Sequence, residues 1–202
     1  MTALASDATF SKMGVSRAVA LLVALIMLIT CAACGEDKSD DSSMTEELLN
    51  SYMNSFCDFN IAGMNKCSMA KLDTYDDGEE TVKACRSLAG RIEWQCENIS
   101  IDGKSAIAQI RITLPDDFNG ICSAALSDAV TSLDRNVEGN PEEILSAAVK
   151  KRAEKAETTD ISAEVCMTKV NNKWYIVKSL GVNRVVSDIR TSAAAVFAAI
   201  GS

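Results

Sequence analysis

The stretch Arg91–Leu114, RIEWQCENISIDGKSAIAQIRITL, decides the fold, because apolar residues recur in it at every second position. Ile92, Trp94 and Cys96 alternate with charged and amide residues, and Ile99 and Ile101 resume the pattern after a slip of phase. Beyond Asp102-Gly103 the alternation continues through Ala106, Ala108, Ile110, Ile112 and Leu114. A period of two puts alternate side chains on opposite faces of a strand, and an Asp-Gly pair suits the positive φ of a tight turn. The stretch is therefore expected to be an antiparallel hairpin with one apolar face, and the slip near Glu97-Asn98 marks a bulge.

A second hairpin is expected further on. Ile161, Ala163, Val165 and Met167 alternate, Asn171-Asn172-Lys173 turns, and Trp174-Tyr175-Ile176-Val177-Lys178 returns. Around these hairpins the period becomes helical. Ser43-Met44-Thr45-Glu46 has the spacing of a capping box and precedes Leu48, Leu49, Tyr52, Met53, Phe56 and Cys57 on one face. Asp58-Phe59-Asn60 breaks that helix, and Ile61, Ala62, Met64 and Cys67 suggest a short second one. A turn at Asp76-Asp77-Gly78 leads into a third, Glu79–Ala89, which Gly90 closes as a C-terminal cap.

Between the hairpins, Ile121, Cys122, Ala125, Leu126, Ala129, Val130 and Leu133 form one stripe, and Asn140-Pro141-Glu142-Glu143 starts another helix that runs to about Lys155. Asn is a strong N-cap, proline is tolerated at the first helical position, and the acids favour the positive end of the helix dipole. Val185–Ile200 reads as a closing helix. The expected class is α+β: N-terminal helices packed on a curved, cone-like antiparallel sheet, with a helical insertion over 118–156 between the two hairpins. Residues 44–202 are near the common size of one domain.

Upstream, Arg17–Gly35, RAVALLVALIMLITCAACG, has a basic entry at Lys12 and Arg17, an apolar run from Ala18 to Ile29, and small residues around two cysteines. The run matches a signal-peptide core of about 7–15 residues and falls short of the ~20 a spanning helix needs. These residues resemble the lipobox of bacterial lipoproteins. The resemblance implies that a cysteine receives diacylglycerol, with palmitate among the acyl chains, and that the preceding segment is removed.

Cys34 follows Ala32 and Ala33, whereas Cys31 follows Ile29 and Thr30 but has Leu28 in the upstream place. Cys34 is favoured, with Cys31 the alternative, since lipidation at Cys34 leaves an even set of cysteines. The expected division is a signal peptide at 1–33, a lipidated cysteine and acidic tether at 34–43, and the domain at 44–202. Double acylation holds a chain stably on a membrane, so the expected place is the extracytoplasmic face of the cell membrane, in the cell envelope.

Composition narrows the function. The 202 residues carry a formal charge of −8, which argues against nucleic acid as a partner. No histidine occurs anywhere, which removes the usual general base and every Ser-His or Cys-His nucleophile. No catalytic residue is assigned, and an enzyme here would have to rely on carboxylates, lysine or tyrosine. The acids Asp73, Asp76, Asp77, Glu79 and Glu80 lack the ordered spacing of a calcium loop and read as a solvated turn.

Cys57, Cys67, Cys85, Cys96, Cys122 and Cys166 remain in the mature chain, and an exported location lets them oxidise. Sequence leaves their connectivity open, and near-neighbour pairing would join Cys57 to Cys67, Cys85 to Cys96 and Cys122 to Cys166. Without histidine, and with no Cys-x-x-Cys after the lipobox, neither a metal nor a redox cofactor is expected.

The opening amphipathic helix, Phe59-Asn60-Ile61-Ala62-Gly63-Met64, the Asp-Gly hairpin and the Asn-Asn-Lys-Trp-Tyr-Ile-Val strand together resemble the nuclear transport factor two-like (cystatin-like) cone fold, as found in many small bacterial lipoproteins. The resemblance covers about residues 44–180; the helices at 118–156 and the six cysteines depart from the family's pattern. It implies a concave sheet whose pocket serves ligands in some members, catalysis in others and dimerisation in many. Trp94, Phe118, Trp174 and Tyr175 are candidates for the apolar wall of such a pocket, with core packing as the plainer role.

The expected function is a non-enzymatic, lipid-anchored binding or interaction domain for a small ligand or another envelope protein, with a homodimer as one form. The alternatives are a structural or accessory subunit of an envelope assembly and a carboxylate-dependent enzyme of the same fold.

Overall fold

The alternation in 91–114 forms a hairpin. The computed structural model describes residues 36–74, 77–135 and 138–200, and in it β1 (Glu93–Asp102) pairs antiparallel with β2 (Ser105–Pro115). Trp94 lies opposite Ile112 and Cys96 opposite Ile110, after which Asn98 lies opposite Gln109, so Glu97 is the extra residue of the expected bulge. The two-residue turn is Gly103-Lys104, and only Gly103, at φ 56°, has the left-handed conformation that a β-carbon would strain. Asp102 stays in the ladder opposite Ser105.

The second hairpin joins β3 (Thr158–Val170) to β4 (Lys173–Lys178) through Asn171 and Asn172, at φ 50° and 60°. Two successive positive φ values make the turn whose twist suits a right-twisted hairpin, and asparagine tolerates both. Pairing of β2 with β3 from Ser105↔Thr168 to Pro115↔Thr158 merges the hairpins into one curved, unclosed antiparallel sheet of order β1-β2-β3-β4.

One face of the sheet buries Ala106, Ala108, Ile110, Ile112, Ala163, Val165, Met167, Trp174 and Ile176. The other carries a polar ladder. Gln109 Nε2 donates to Glu164 at 2.8 Å, Thr113 Oγ1 donates to Asp160 at 2.6 Å, and Arg111 Nε donates to the bulged Glu97 at 2.9 Å.

Six helices accompany the sheet among the described residues: α1 (Glu36–Cys57), α2 (Ile61–Cys67), α3 (Glu79–Ala89), α4 (Phe118–Asp134), α5 (Pro141–Ala153) and α6 (Leu180–Ile200). Side-chain caps set three starts, since Asn60, Asp117 and Asn140 accept from the N–H of Gly63, Gly120 and Glu142 at 3.0, 2.8 and 3.0 Å. Helices α3, α4, α5 and α6 pack on one another, and α6 also touches β3. That last contact needs a glycine: a β-carbon on Gly181 would fall 2.7 Å from Ala163 Cβ. The class is α+β, with the helical pair α4 and α5 inserted between the hairpins.

Several expected boundaries shift. Helix α1 begins at Glu36, so residues 36–43 of the expected tether are helical and the Ser43–Glu46 pattern lies inside the helix instead of capping it. Gly90 caps α3 at φ −64°, a right-handed conformation, with its N–H bonded to Arg86 O at 2.8 Å. Helix α5 stops at Ala153 rather than Lys155, and α6 starts at Leu180 rather than Val185.

Residues Met44–Ser202 form one compact unit. The expected signal segment 1–33 and both candidate lipidation sites, Cys31 and Cys34, lie outside the described residues. None of the described helices is long and apolar enough to cross a membrane.

Candidate binding cleft

The site is built from the end of α1 outward. There Asn60 N–H bonds back to Ser55 O at 2.7 Å and Phe59 N–H to Phe56 O at 3.0 Å, the pair of bonds that closes a helix over a left-handed residue. Glycine usually fills that position; here it is Phe59, at φ 50°. The conformation costs on the order of 1–2 kcal/mol for a residue with a β-carbon, and burial of the ring to 6% exposure offsets it. Phe59 thereby becomes one wall of a cleft.

The cleft, about 780 Å³, runs between α3 and α6. Its apolar lining includes Phe59, Leu72, Val82, Val186 and Ala194, and its polar lining includes Asp77, Arg86, Asn183 and Arg190. Val82 and Arg86 share a face of α3 at i and i+4, while Asn183, Val186, Arg190 and Ala194 recur at three- and four-residue steps along α6.

Two polar arrangements border it. Arg190 grips Asp77 with both ends of its fork, Nε to Oδ2 at 2.7 Å and Nη2 to Oδ1 at 2.9 Å, across 113 positions of chain. Both side chains are largely shielded, at 24% and 19% exposure, which strengthens a bidentate charged pair. The sequence reading of Asp77 as part of a solvated turn is corrected here: it ties the start of α3 to the middle of α6.

The second arrangement is a triangle of Tyr52, Ser179 and Asn183. Tyr52 Oη and Ser179 Oγ are 2.5 Å apart, and both hydroxyls lie within bonding distance of Asn183 Oδ1, at 3.1 and 3.0 Å. Burial pushes the Tyr52 hydroxyl up to about 12, against the lowering effect of its bond to Ser179.

The four aromatic candidates do not line this cleft and are not brought together. Trp174 is buried at 2% exposure in the core face of β4, whereas its neighbour Tyr175 turns to the open face, where Lys173 Nζ sits 5.3 Å from the ring centroid. Trp94 is half-buried on β1 opposite Ile112, and Phe118 is packed at the start of α4 beside a smaller recess bordered by Asn119 and Asp188. What the sequence did offer was the stripe Asn183, Ser187, Arg190 and Ala194, polar and small, running beside the apolar stripe of α6.

The six described cysteines, Cys57, Cys67, Cys85, Cys96, Cys122 and Cys166, carry free thiols in this structure. Their surroundings differ. Cys67 Sγ reaches Ser51 Oγ at 3.6 Å, and Ser51 lies six residues, about 9 Å of helix, from Cys57. Cys85 is influenced by Asp77, Cys122 and Arg190, while Cys96 is influenced by Glu46 of α1, so the two belong to different neighbourhoods. Cys166 stands opposite exposed Ile107 on the open face of the sheet, whereas Cys122 is buried in α4. Burial pushes the Cys85 thiol up to about 12 and those of Cys57 and Cys122 to about 11.

A second groove of about 620 Å³ lies between α4 and α5, bordered by Arg135, Lys151, Arg152 and Lys155. Arg152 grips Asp128 there at 2.6 and 2.7 Å, and both side chains are exposed, at 45% and 40%. The Arg152 guanidinium holds the Asp128 carboxyl below its usual range. Among the described residues no cluster of three or more His, Cys, Asp or Glu could hold a metal ion.

No family model and no curated protein matches this chain. Among solved structures, the chain is similar to an NTF-2-like protein of unknown function. That protein is from Shewanella oneidensis MR-1, with 10% identity, 69% of this chain and 96% of that one covered, and a TM-score of 0.37. A second similar structure is "a putative lipoprotein (ycdA)" from Bacillus subtilis subsp. subtilis str. 168, with 17% identity, coverage of 71% of this chain and a TM-score of 0.39. This chain spans 46% of the length of the Bacillus protein. Both scores are below 0.5, so the fold assignment stands on the strand pairings and helix contacts themselves.

Proposed function

We propose that the chain is a lipid-anchored, extracytoplasmic binding domain, not an enzyme, that holds a small ligand in the cleft between α3 and α6. The cleft itself carries this reading: a hollow of about 780 Å³ with apolar walls and a few placed polar groups has the make-up of small-molecule sites. The anchor rests on Arg17–Gly35, with Cys34 as the acylated residue and the membrane surface as the first partner. The non-enzymatic reading is supported by the absence of histidine from the sequence and by Asp77, whose two oxygens are both taken by Arg190.

A second reading, a docking subunit that meets an envelope protein or a second copy of itself, draws support from Met69, Val177 and Leu180. These side chains, 53%, 37% and 66% exposed, gather around the end of β4, where Met69 N–H bonds to Ile176 O.

Native mass spectrometry of the full chain released from membranes tests the first reading. Ala194→Trp places an indole in the cleft from an exposed helix position. Wild type carrying a bound small molecule that the variant loses is the expected result. A wild type without one, or a variant that keeps it, contradicts the reading. The same spectra report acyl chains on Cys34.

A further inference from the structure

The hydrogen bonds already made around the cleft decide what it presents to a ligand. Asn183 spends its carbonyl oxygen on the buried side, accepting within the triangle formed with Tyr52 and Ser179. Its amide N–H groups make no hydrogen bond to another described residue, and Asn183 lines the cleft, so what it offers a ligand is a donor. Arg86, on the α3 wall, is exposed and has no ion-pair partner among the described residues. The acid Asp77 has both oxygens occupied by Arg190. Asp73, the other acid of the lining, is also engaged. Arg86 is thus the charged lining group with no ion-pair partner among the described residues, and it stands with the Asn183 amide and the hydroxyls of Thr74, Ser187 and Thr191 among Phe59, Leu72, Val82, Val186 and Ala194.

We infer that the cleft takes a small amphipathic organic anion, its carboxylate or similar head drawn to Arg86 and the Asn183 amide and its apolar body lying along Val82 and Val186. This rests on the cleft being the binding site. A guanidinium favours a planar, bidentate oxyanion over a neutral acceptor, because a charge-assisted bond is roughly twice as strong as a neutral one. The apolar lining supplies the rest of the affinity through the area it removes from water. A neutral ligand of the same shape would keep the second contribution and lose the first.

The experiment is calorimetric titration of the full chain in neutral-lipid nanodiscs, blanked against empty discs, with 4-phenylbutyrate and its neutral counterpart 4-phenylbutyramide. Wild type is compared with Arg86→Gln, which keeps a donor and removes the charge, and with Ala194→Trp, which fills the cleft. The expected result is a Kd near the millimolar range for the carboxylate, about fivefold tighter than for the amide. Arg86→Gln should erase that preference, and Ala194→Trp should abolish binding of both probes. Equal binding of the two probes that Arg86→Gln leaves unchanged, while Ala194→Trp still abolishes it, would overturn the anion assignment and leave the cleft standing. Wild-type binding that Ala194→Trp does not weaken, or no binding of either probe at millimolar concentration, would overturn the cleft itself.

Discussion

Asp77–Arg190 and Asp128–Arg152 make the same pair of bonds in two settings. Each is a bidentate fork with bonds of 2.6–2.9 Å. The first joins the lead into α3 with α6 and is mostly shielded from water; the second links α4 to α5 and is open to it. Solvent screens the exposed pair and leaves its side chains free to move, so its geometry overstates its worth. The shielded pair holds one end of a cleft together, and breaking it leaves an uncompensated charge where water is scarce. Geometry alone would rank the two forks as equals; burial separates them.

The largest expected effect comes from Arg190→Met, which strands Asp77. Unfolding in urea should show a loss of about 2–3 kcal/mol, with faster proteolysis around residues 72–79. A loss no greater than that of an exposed-pair variant would erase the contrast between the forks.

Raising the pH attacks the shielded interior by another route. Cys85 and Cys122 have folded pKa values pushed by burial above their ordinary 9.0, to about 12 and about 11. A raised folded value means that the native state holds its proton where the unfolded chain has released it. Stability from these thiols is therefore fully present below pH 9 and declines as pH climbs toward 11–12. At about pH 10.5 the loss should be roughly 2 kcal/mol for Cys85, and Cys85→Ala should flatten the decline seen in thermal melts. The exposed fork titrates at the acid end instead: Asp128, held low by Arg152, contributes above its ordinary 3.8 and ceases to as pH falls through its folded value.

Tyr52→Phe removes one corner of the triangle while keeping the ring buried. A cost of about 1 kcal/mol is expected by urea unfolding, together with weaker binding in the cleft, because Asn183 is then free to turn its oxygen outward. The smallest effect belongs to Asp128→Asn, which should leave the thermal midpoint at neutral pH within the scatter of the melt.

Sequence pattern and tertiary packing divide the credit unevenly. The two hairpins, the bulge at Glu97 and the cap at Asn140 are local events, set by a period of two or by one side chain reaching the next turn, so they are legible in the chain. The start of α1 is not. Ser43-x-x-Glu46 imitates a cap, but the helix already runs from Glu36.

The cleft is hidden for a different reason: its residues come from 59–61, 72–74, 77, 82–86 and 183–195, and only packing brings them together. Arg190 and Asp77 look like surface charges in the sequence because nothing local shows what faces them. The cysteines are equally silent about their surroundings: Cys166 stands on the open face of the sheet, opposite Ile107, and Cys122 is buried in α4.

The most direct test of the central claim is hydrogen–deuterium exchange on the full chain with and without saturating 4-phenylbutyrate. Slower exchange in residues 79–89 and 183–195, with β2 and β3 unchanged, is the result this account expects. Protection confined to the open sheet face, at residues 105–113 and 160–168, with α3 and α6 unaffected, would contradict it.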